Sequence, residues 1–268
     1  MSAIRSSSRR YVIAGAAVLA LAGGGLGLAY FYPALGPIAG SVAPQLYVDS
    51  MSGAQIPSRG RFVLVDAASA RLYMIEDGRV QDSMRVIVGA PETPTPELKS
   101  SINYETLNPY WHVTREVAKA VIAPRVLKEG EAYLNRQGYE VVSSFANPQP
   151  LAPSEVDWKG VAAGTATVKV RQKPGPANSL GRFKFDIPYS DGIYLHDTPK
   201  KELFAQDQRA LSHGCVRLED AQRLAQWLLG RDPPAASVPE QQVALPRPVP
   251  ITIAYLKPGA QTQLAGLQ

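Results

Sequence analysis

The residues best equipped for chemistry sit in "LSHGCVRL", Leu211 to Leu218, which holds the only cysteine of the 268-residue chain with His213 two positions before it. A thiol by itself is a weak nucleophile, because an ordinary pKa of about 8.5 keeps it protonated at neutral pH. It needs a base. The chain has three histidines, His112, His196 and His213, and His196 closes the strand-like segment "GIYLHD". Fifteen residues, Asp197 to Leu211, separate it from Ser212. A cysteine, a histidine base and a glycine-preceded turn whose N–H groups can face an oxyanion make up the equipment of acyl transfer. Two blander readings stay open. Solitary cysteines are commonly small buried side chains, and His196, His213 and Cys215 are suitable zinc ligands that lack an evident fourth partner and a finger spacing.

Composition bounds the setting. Hydrophobic residues make up 45% and charged residues 19% of the chain, enough apolar material for a core and too little charge for bulk disorder. The formal net charge is +5. Within residues 1–60, Arg5, Arg9, Arg10 and Arg59 stand against Asp49, a net +3 that leaves +2 for the rest, so a nucleic-acid partner is not expected. Three of those arginines precede "YVIAGAAVLALAGGGLGLAYFY", Tyr11 to Tyr32, an uncharged run of 22 residues. At about 1.5 Å per residue it is long enough to cross a bilayer. It reads as a signal-anchor with the arginines cytoplasmic and the rest of the chain at the outer face of the inner membrane. The alternative is a cleaved signal with Ser41-Val42-Ala43 at the cleavage site. "SRRYVI" also resembles a twin-arginine export signal. An exported chain with a single cysteine has no internal disulfide, and its lone thiol points to reactivity.

Several elements must position these groups. Residues 33–60 are rich in Pro, Gly, Ser and Ala and read as a tether. From Arg61, Phe62 to Val65, Arg71 to Glu76 and Val80 to Val88 read as strands, the last two joined by a turn at Asp77-Gly78. "PETPTPELKS" is proline-broken and reads as a loop. Arg115 to Ser144 suits short helices with a break before Pro124. Strands return in "GTATVKVRQ", "GRFKFDIP" and "GIYLHD". "EDAQRLAQWLLG" is a helix that starts near Glu219 or Asp220, has one apolar face of Ala221, Leu224, Ala225 and Leu228, and stops at Gly230. "VPITIAYL" reads as a final strand. The sum is a mainly β domain with helices, one of them directly after Cys215.

"LHDTPKKELFAQDQRALSHGCVRL" resembles the active-site signature of the YkuD-type L,D-transpeptidases, and "LNPYWHV" and "QKPGPANSLGRFKF" are similar to segments of their larger peptidoglycan-crosslinking members. The resemblance implies a mixed β-sheet catalytic domain over residues 61–256, a helical capping insertion at 115–144 and a tail at 257–268, after a stub and anchor at 1–32 and a linker at 33–60. It makes Cys215 the acylated nucleophile and His196 its base. Gly214 and Cys215 would supply oxyanion-hole amides, with Tyr194, Ser212, His213 and Arg217 supporting the site and Arg217 facing a substrate carboxylate. The third member of the relay would be a backbone carbonyl, a part Asp197 could take. Trp111 and Asn178 would line the substrate cleft. The implied reaction joins peptidoglycan stem peptides by 3-3 cross-links, with release of D-alanine and with neither metal nor organic cofactor. Water as acceptor would make the same site an L,D-carboxypeptidase or wall-peptide hydrolase. A non-catalytic wall-binding module of the same fold would have no need of Cys215 or His196.

Overall fold

A computed structural model of the chain describes residues 46–48, 55–188, 190, 192–259, 264 and 266–267. The expected anchor at Tyr11 to Tyr32 and most of the tether lie outside them. Among the described residues no helix is long and apolar enough to cross a membrane.

The strands in chain order are β1 (Leu46–Val48), β2 (Gln55–Pro57), β3 (Arg61–Asp66), β4 (Arg71–Glu76), β5 (Arg79–Gly89), β6 (Leu98–Leu107), β7 (Trp111–His112), β8 (Tyr139–Val142), β9 (Pro150–Leu151), β10 (Val170–Gln172), β11 (Phe183–Asp186), β12 (Tyr194–His196), β13 (Ala210–Ser212), β14 (Val216–Leu218) and β15 (Gln241–Ala254). The α-helices are α1 (Arg115–Val117), α2 (Ala123–Glu129), α3 (Ala132–Gln137), α4 (Trp158–Ala163) and α5 (Ala221–Leu229). The main sheet runs β13-β5-β14-β12-β11-β6-β15-β3-β4, and β4 also pairs with β5, so the sheet closes on itself. Closure leaves few free edges. Helix α5 lays Ala221, Leu224, Ala225, Leu228 and Leu229 against Val63, Leu72, Phe185, Leu195, Val216 and Leu218 in the largest apolar cluster. Each buried leucine there contributes about 1.5–3 kcal/mol. Asp220 caps the helix by accepting from the Arg223 N–H at 3.0 Å, and Gly230 ends it in the left-handed region that its lack of a side chain permits. Arg61 then donates to the freed carbonyls of Trp227 and Leu228.

A second layer is built from the order β7-β10-β8-β9 with α1 to α4, around its own cluster of Val117, Ile122, Leu134, Val141, Trp158 and Val170. The helical insertion is therefore part of a larger unit that includes the strand Tyr139–Val142 inside the stretch expected to be helical. The expected break before Pro124 is also absent. A π-turn over Ala118–Ile122 runs straight into α2, whose first turn holds Pro124. The proline-rich loop ends at Glu97 rather than Ser100, because Leu98 opens the ten-residue β6. The last strand begins well before Val249, and it shifts register between Ala244 and Val249, where Pro246 and Pro248 cannot donate to a ladder.

One core residue breaks the apolar rule. Glu105 lies opposite Phe185 on β11, is 0% exposed, and neither carboxylate oxygen has a hydrogen-bond partner among the described residues. Burial raises its pKa from 4.5 to about 7, a rise that Arg231 partly opposes. A pKa raised on folding stabilises the native state fully below the unfolded value, and that contribution is lost as pH climbs through 7. The variant Glu105→Gln is thus expected to match wild type in thermal melts near pH 4.5 and to be more stable at pH 9, by on the order of 3 kcal/mol. Equal pH dependence in the two proteins would show that the carboxylate is solvated or paired in the native state, with a pKa close to its unfolded value.

Candidate active site

Strand pairing brings the chemical residues together. β12 and β14 are parallel neighbours with Leu195 opposite Val216 and His196 opposite Arg217. Successive side chains on a strand point to opposite faces. Leu195, Val216 and Leu218 enter the core under α5, so Tyr194, His196 and Arg217 share the other face, with Cys215 one step before the strand beside Tyr194. On the far side of β12, β11 places Lys184 opposite His196 and Asp186 opposite Tyr194. Thr106 of β6 lies opposite Lys184 and donates to Asp186 Oδ2 at 3.3 Å.

His196 is 5% exposed, and its Nδ1 lies 2.5 Å from the backbone carbonyl of Asp197. A carbonyl only accepts, so Nδ1 carries the hydrogen and Nε2 is left with the lone pair that a base requires. The Asp197 main chain is the orienting group. It is held in turn, since Asp197 N–H donates to Phe183 O at 2.9 Å and its carboxylate accepts from Arg182 N–H at 2.9 Å and Lys201 Nζ at 2.7 Å. Gly181 makes room for that carboxylate, because a Cβ there would meet Asp197 Oδ2 at 2.3 Å.

The sulfur of Cys215 lies 3.8 Å from Gly192 O and faces both the backbone N–H and the hydroxyl of Tyr194. Burial pushes the thiol pKa up, while the Tyr194 donors and the Arg217 and Lys184 cations oppose the rise. Burial and then Arg217 lower His196 from 6.5 to about 3. Both groups are therefore neutral at rest, in place of the standing thiolate–imidazolium pair that the residue types suggest. Deprotonation of the thiol must accompany attack. Burial also raises the Tyr194 pKa, with Cys215 reinforcing it, so this phenol remains a donor. Trp111 partly opposes that rise, and its ring lies 6.2 Å from that of Tyr139 in the second layer. Lys184 sits 4.9 Å from the centre of the Tyr194 ring and pairs with Asp186 at 2.6 Å.

Not every expected site residue meets substrate space. Asn178 is 1% exposed, and its amide donates to the carbonyls of Pro109, Gln172 and Lys173 while Oδ1 accepts from Leu180 N–H. All its capacity is spent on backbone, so it ties the loop after β10 to the residues before β7. The Gly214 N–H donates to Ser212 Oγ at 3.1 Å. Of the two expected oxyanion amides, only that of Cys215 has no acceptor among the described residues. His213 is exposed. Among the described residues no three His, Cys, Asp or Glu side chains converge as a metal centre would require. The sequence alone gave no site role to Asp186, nor to Thr93 and Thr95, which reach the Ser212 and Gly214 carbonyls. Two threonines set between prolines directly after a strand were the available signal.

The sequence profile of the YkuD family, the L,D-transpeptidase catalytic domain, matches residues 60–251. A Haemophilus influenzae protein whose name provisionally assigns it to the L,D-transpeptidases is 34% identical over 174 residues, covering 65% of this chain and 35% of that protein. The chain thus spans about a third of that relative's length. Among solved structures, an L,D-transpeptidase from Mycobacterium smegmatis aligns with TM-score 0.38 and 13% identity over 75% of this chain and 63% of its own. L,D-transpeptidase 3 from Mycobacterium tuberculosis aligns with TM-score 0.37 and 13% identity over 75% and 65%. Because that profile matches well over half of the sequence, the chain belongs to the YkuD family of L,D-transpeptidase catalytic domains.

Proposed function

We propose that this protein cross-links peptidoglycan stem peptides through a thioester on Cys215. The observation that carries the reading is the face shared by β12 and β14, which holds Tyr194, His196 and Arg217 with Cys215 one residue before β14, the imidazole keeping the lone pair of its Nε2. In the first half-reaction Nε2 of His196 removes the Sγ proton as sulfur bonds to the amide carbonyl carbon between meso-diaminopimelate and the terminal D-alanine of a tetrapeptide stem. The carbon–nitrogen bond then breaks, the imidazolium gives its proton to the leaving amine, and D-alanine departs. In the second, an acceptor side-chain amine loses a proton to His196 and attacks the thioester, and sulfur leaves with that proton. The product is a 3-3 cross-link. Arg217 has no carboxylate partner among the described residues and its charge is disfavoured by burial, which suits it to meet a stem carboxylate. Export by the arginine-flanked run at Tyr11 to Tyr32 would put this chemistry on the periplasmic side of the inner membrane, where the stems are.

Incubating the full-length protein with tetrapeptide monomers and weighing the products tests the reading. Free D-alanine together with tetrapeptide–tripeptide dimers is expected. Tripeptide monomers alone would reassign the enzyme as an L,D-carboxypeptidase, and an absence of released D-alanine would leave the wall-binding module as the better account.

A further inference from the structure

Three polar contacts join the loop after β5 to the nucleophile loop, across more than a hundred residues of sequence. Ala90 N–H and Thr93 Oγ1 both donate to the Ser212 carbonyl, at 2.9 and 3.2 Å, and Thr95 Oγ1 donates to the Gly214 carbonyl at 2.8 Å. Thr95 is 1% exposed and tightly held: its Oγ1 accepts from Gly89 N–H at 2.8 Å, and its carbonyl accepts from Tyr255 OH at 2.9 Å. The approach is close. A Cβ on Gly89 would lie 2.2 Å from Thr93 O and 2.5 Å from Thr95 N, so the loop folds flat onto β5 only because position 89 has no side chain.

Inside the nucleophile loop the Ser212, Gly214 and Cys215 carbonyls and the Gly214 N–H all have partners. Ser212 Oγ accepts from Gly214 N–H and donates to the Cys215 carbonyl at 2.6 Å. The Gly214 carbonyl belongs to Thr95. The N–H groups of His213 and Cys215 lack an acceptor among the described residues. The Gly214–Cys215 peptide is planar and trans, so its C=O and N–H point in opposite directions. Whatever fixes the carbonyl also aims the amide. Gly214, at φ +111, offers little steric resistance of its own to rotation of that peptide.

We infer that Thr95 is a positioning residue for the transition state: by anchoring the Gly214 carbonyl in the protein interior it holds the Cys215 N–H turned toward the bound acyl carbon, as the oxyanion donor. Without that anchor the peptide plane is free to turn, and a rotated carbonyl would present a negative dipole where negative charge develops. The inference rests on the acyl-transfer reading above.

The test separates attack at a carbonyl from attack at a saturated carbon. A carbapenem acylates Cys215 as the Sγ–carbon bond forms, the lactam carbon–nitrogen bond opens and the ring nitrogen takes the proton that sulfur gave up; this passes through an oxyanion. Iodoacetamide alkylates the same sulfur by displacing iodide, with the thiol proton lost to His196 or buffer and no oxyanion formed. In full-length Thr95→Val, which keeps the shape and loses the hydroxyl, the carbapenem rate is expected to fall about 10²–10³-fold, the measured worth of one oxyanion donor elsewhere, with alkylation unchanged. Thr95→Ser, which keeps the hydroxyl, is expected to recover the acylation rate. Wild-type acylation by Thr95→Val, a parallel fall in both reactions, or a serine variant as slow as the valine one overturns the inference. A wild-type protein that the carbapenem leaves unacylated overturns the acyl-transfer reading itself, so the two failures are told apart.

Discussion

Replacing Cys215 by serine is expected to reduce acyl transfer at pH 7 by about 10⁴-fold or more, with the melting temperature unchanged. The large loss follows from the acid–base balance of the site. With His196 lowered to about 3 by burial and by Arg217, the imidazole is a weak base that succeeds only with an acidic, polarisable nucleophile. A hydroxyl is a far weaker acid than a thiol. The thermal silence follows from the structure around the sulfur, which is only partly buried, so that a hydroxyl can take its place between Gly192 O and Tyr194. Intact-protein mass after carbapenem treatment and D-alanine release from tetrapeptides are the two readouts. Turnover by Cys215→Ser near the wild-type rate would mean that another group carries the acyl chain.

Exchanging His196 for glutamine is expected to slow acylation about 10²–10⁴-fold at pH 7, the usual worth of a positioned base. The size of the loss is expected to depend on pH in a particular direction. In wild type the imidazole is the proton acceptor while it is neutral, and its folded pKa of about 3 keeps it neutral down to strongly acid solution. The profile should therefore lack an inflection near 6.5, where an exposed histidine titrates. The thiol, raised by burial, loses its proton to solvent only in alkaline solution. In the glutamine variant hydroxide must do that work, so its rate climbs with pH and the gap to wild type narrows as the thiol titrates. A wild-type rate that halves near pH 6.5, or a variant deficit constant across the range, would contradict this assignment of the base.

The same depressed pKa bears on stability with the opposite sign to that of Glu105. Between about 3 and 6.5 the unfolded chain binds a proton at His196 that the native state refuses, so this group costs stability as pH falls. Glu105 favours the native state over an overlapping acid range. Comparing Glu105→Gln with wild type at each pH cancels the histidine contribution and isolates the carboxyl.

The candidate pair was legible in the sequence itself. Cys215, His196 and the spacing between them fit an acyl-transfer pair, because few other uses bring a lone thiol next to His-Gly with a second histidine upstream. Helix α5 was legible for a different reason: its cap at Asp220, its apolar face and its stop at Gly230 are all local, within one or two turns. The strands β3 to β5 carried the same kind of local signal. Strand β15 did not, since its prolines argue against a ladder until the register shift that accommodates them is seen.

What the chain could not display in one dimension is which residues meet across the sheet. Period-two alternation in "FKFD" puts Lys184 and Asp186 on one side of a strand, but only the order β14-β12-β11-β6 makes that side the catalytic one. The role of Asn178 turned on three carbonyls that fold around it, and that of Thr95 on a carbonyl 119 positions away. Local sequence determined the reactive groups and the elements that carry them, because capping, turns and amphipathic periods are set by neighbours in the chain. Strand order and register decided the electrostatics of the pair and the aim of the Cys215 amide, because burial and long-range hydrogen bonds exist only once distant segments have packed.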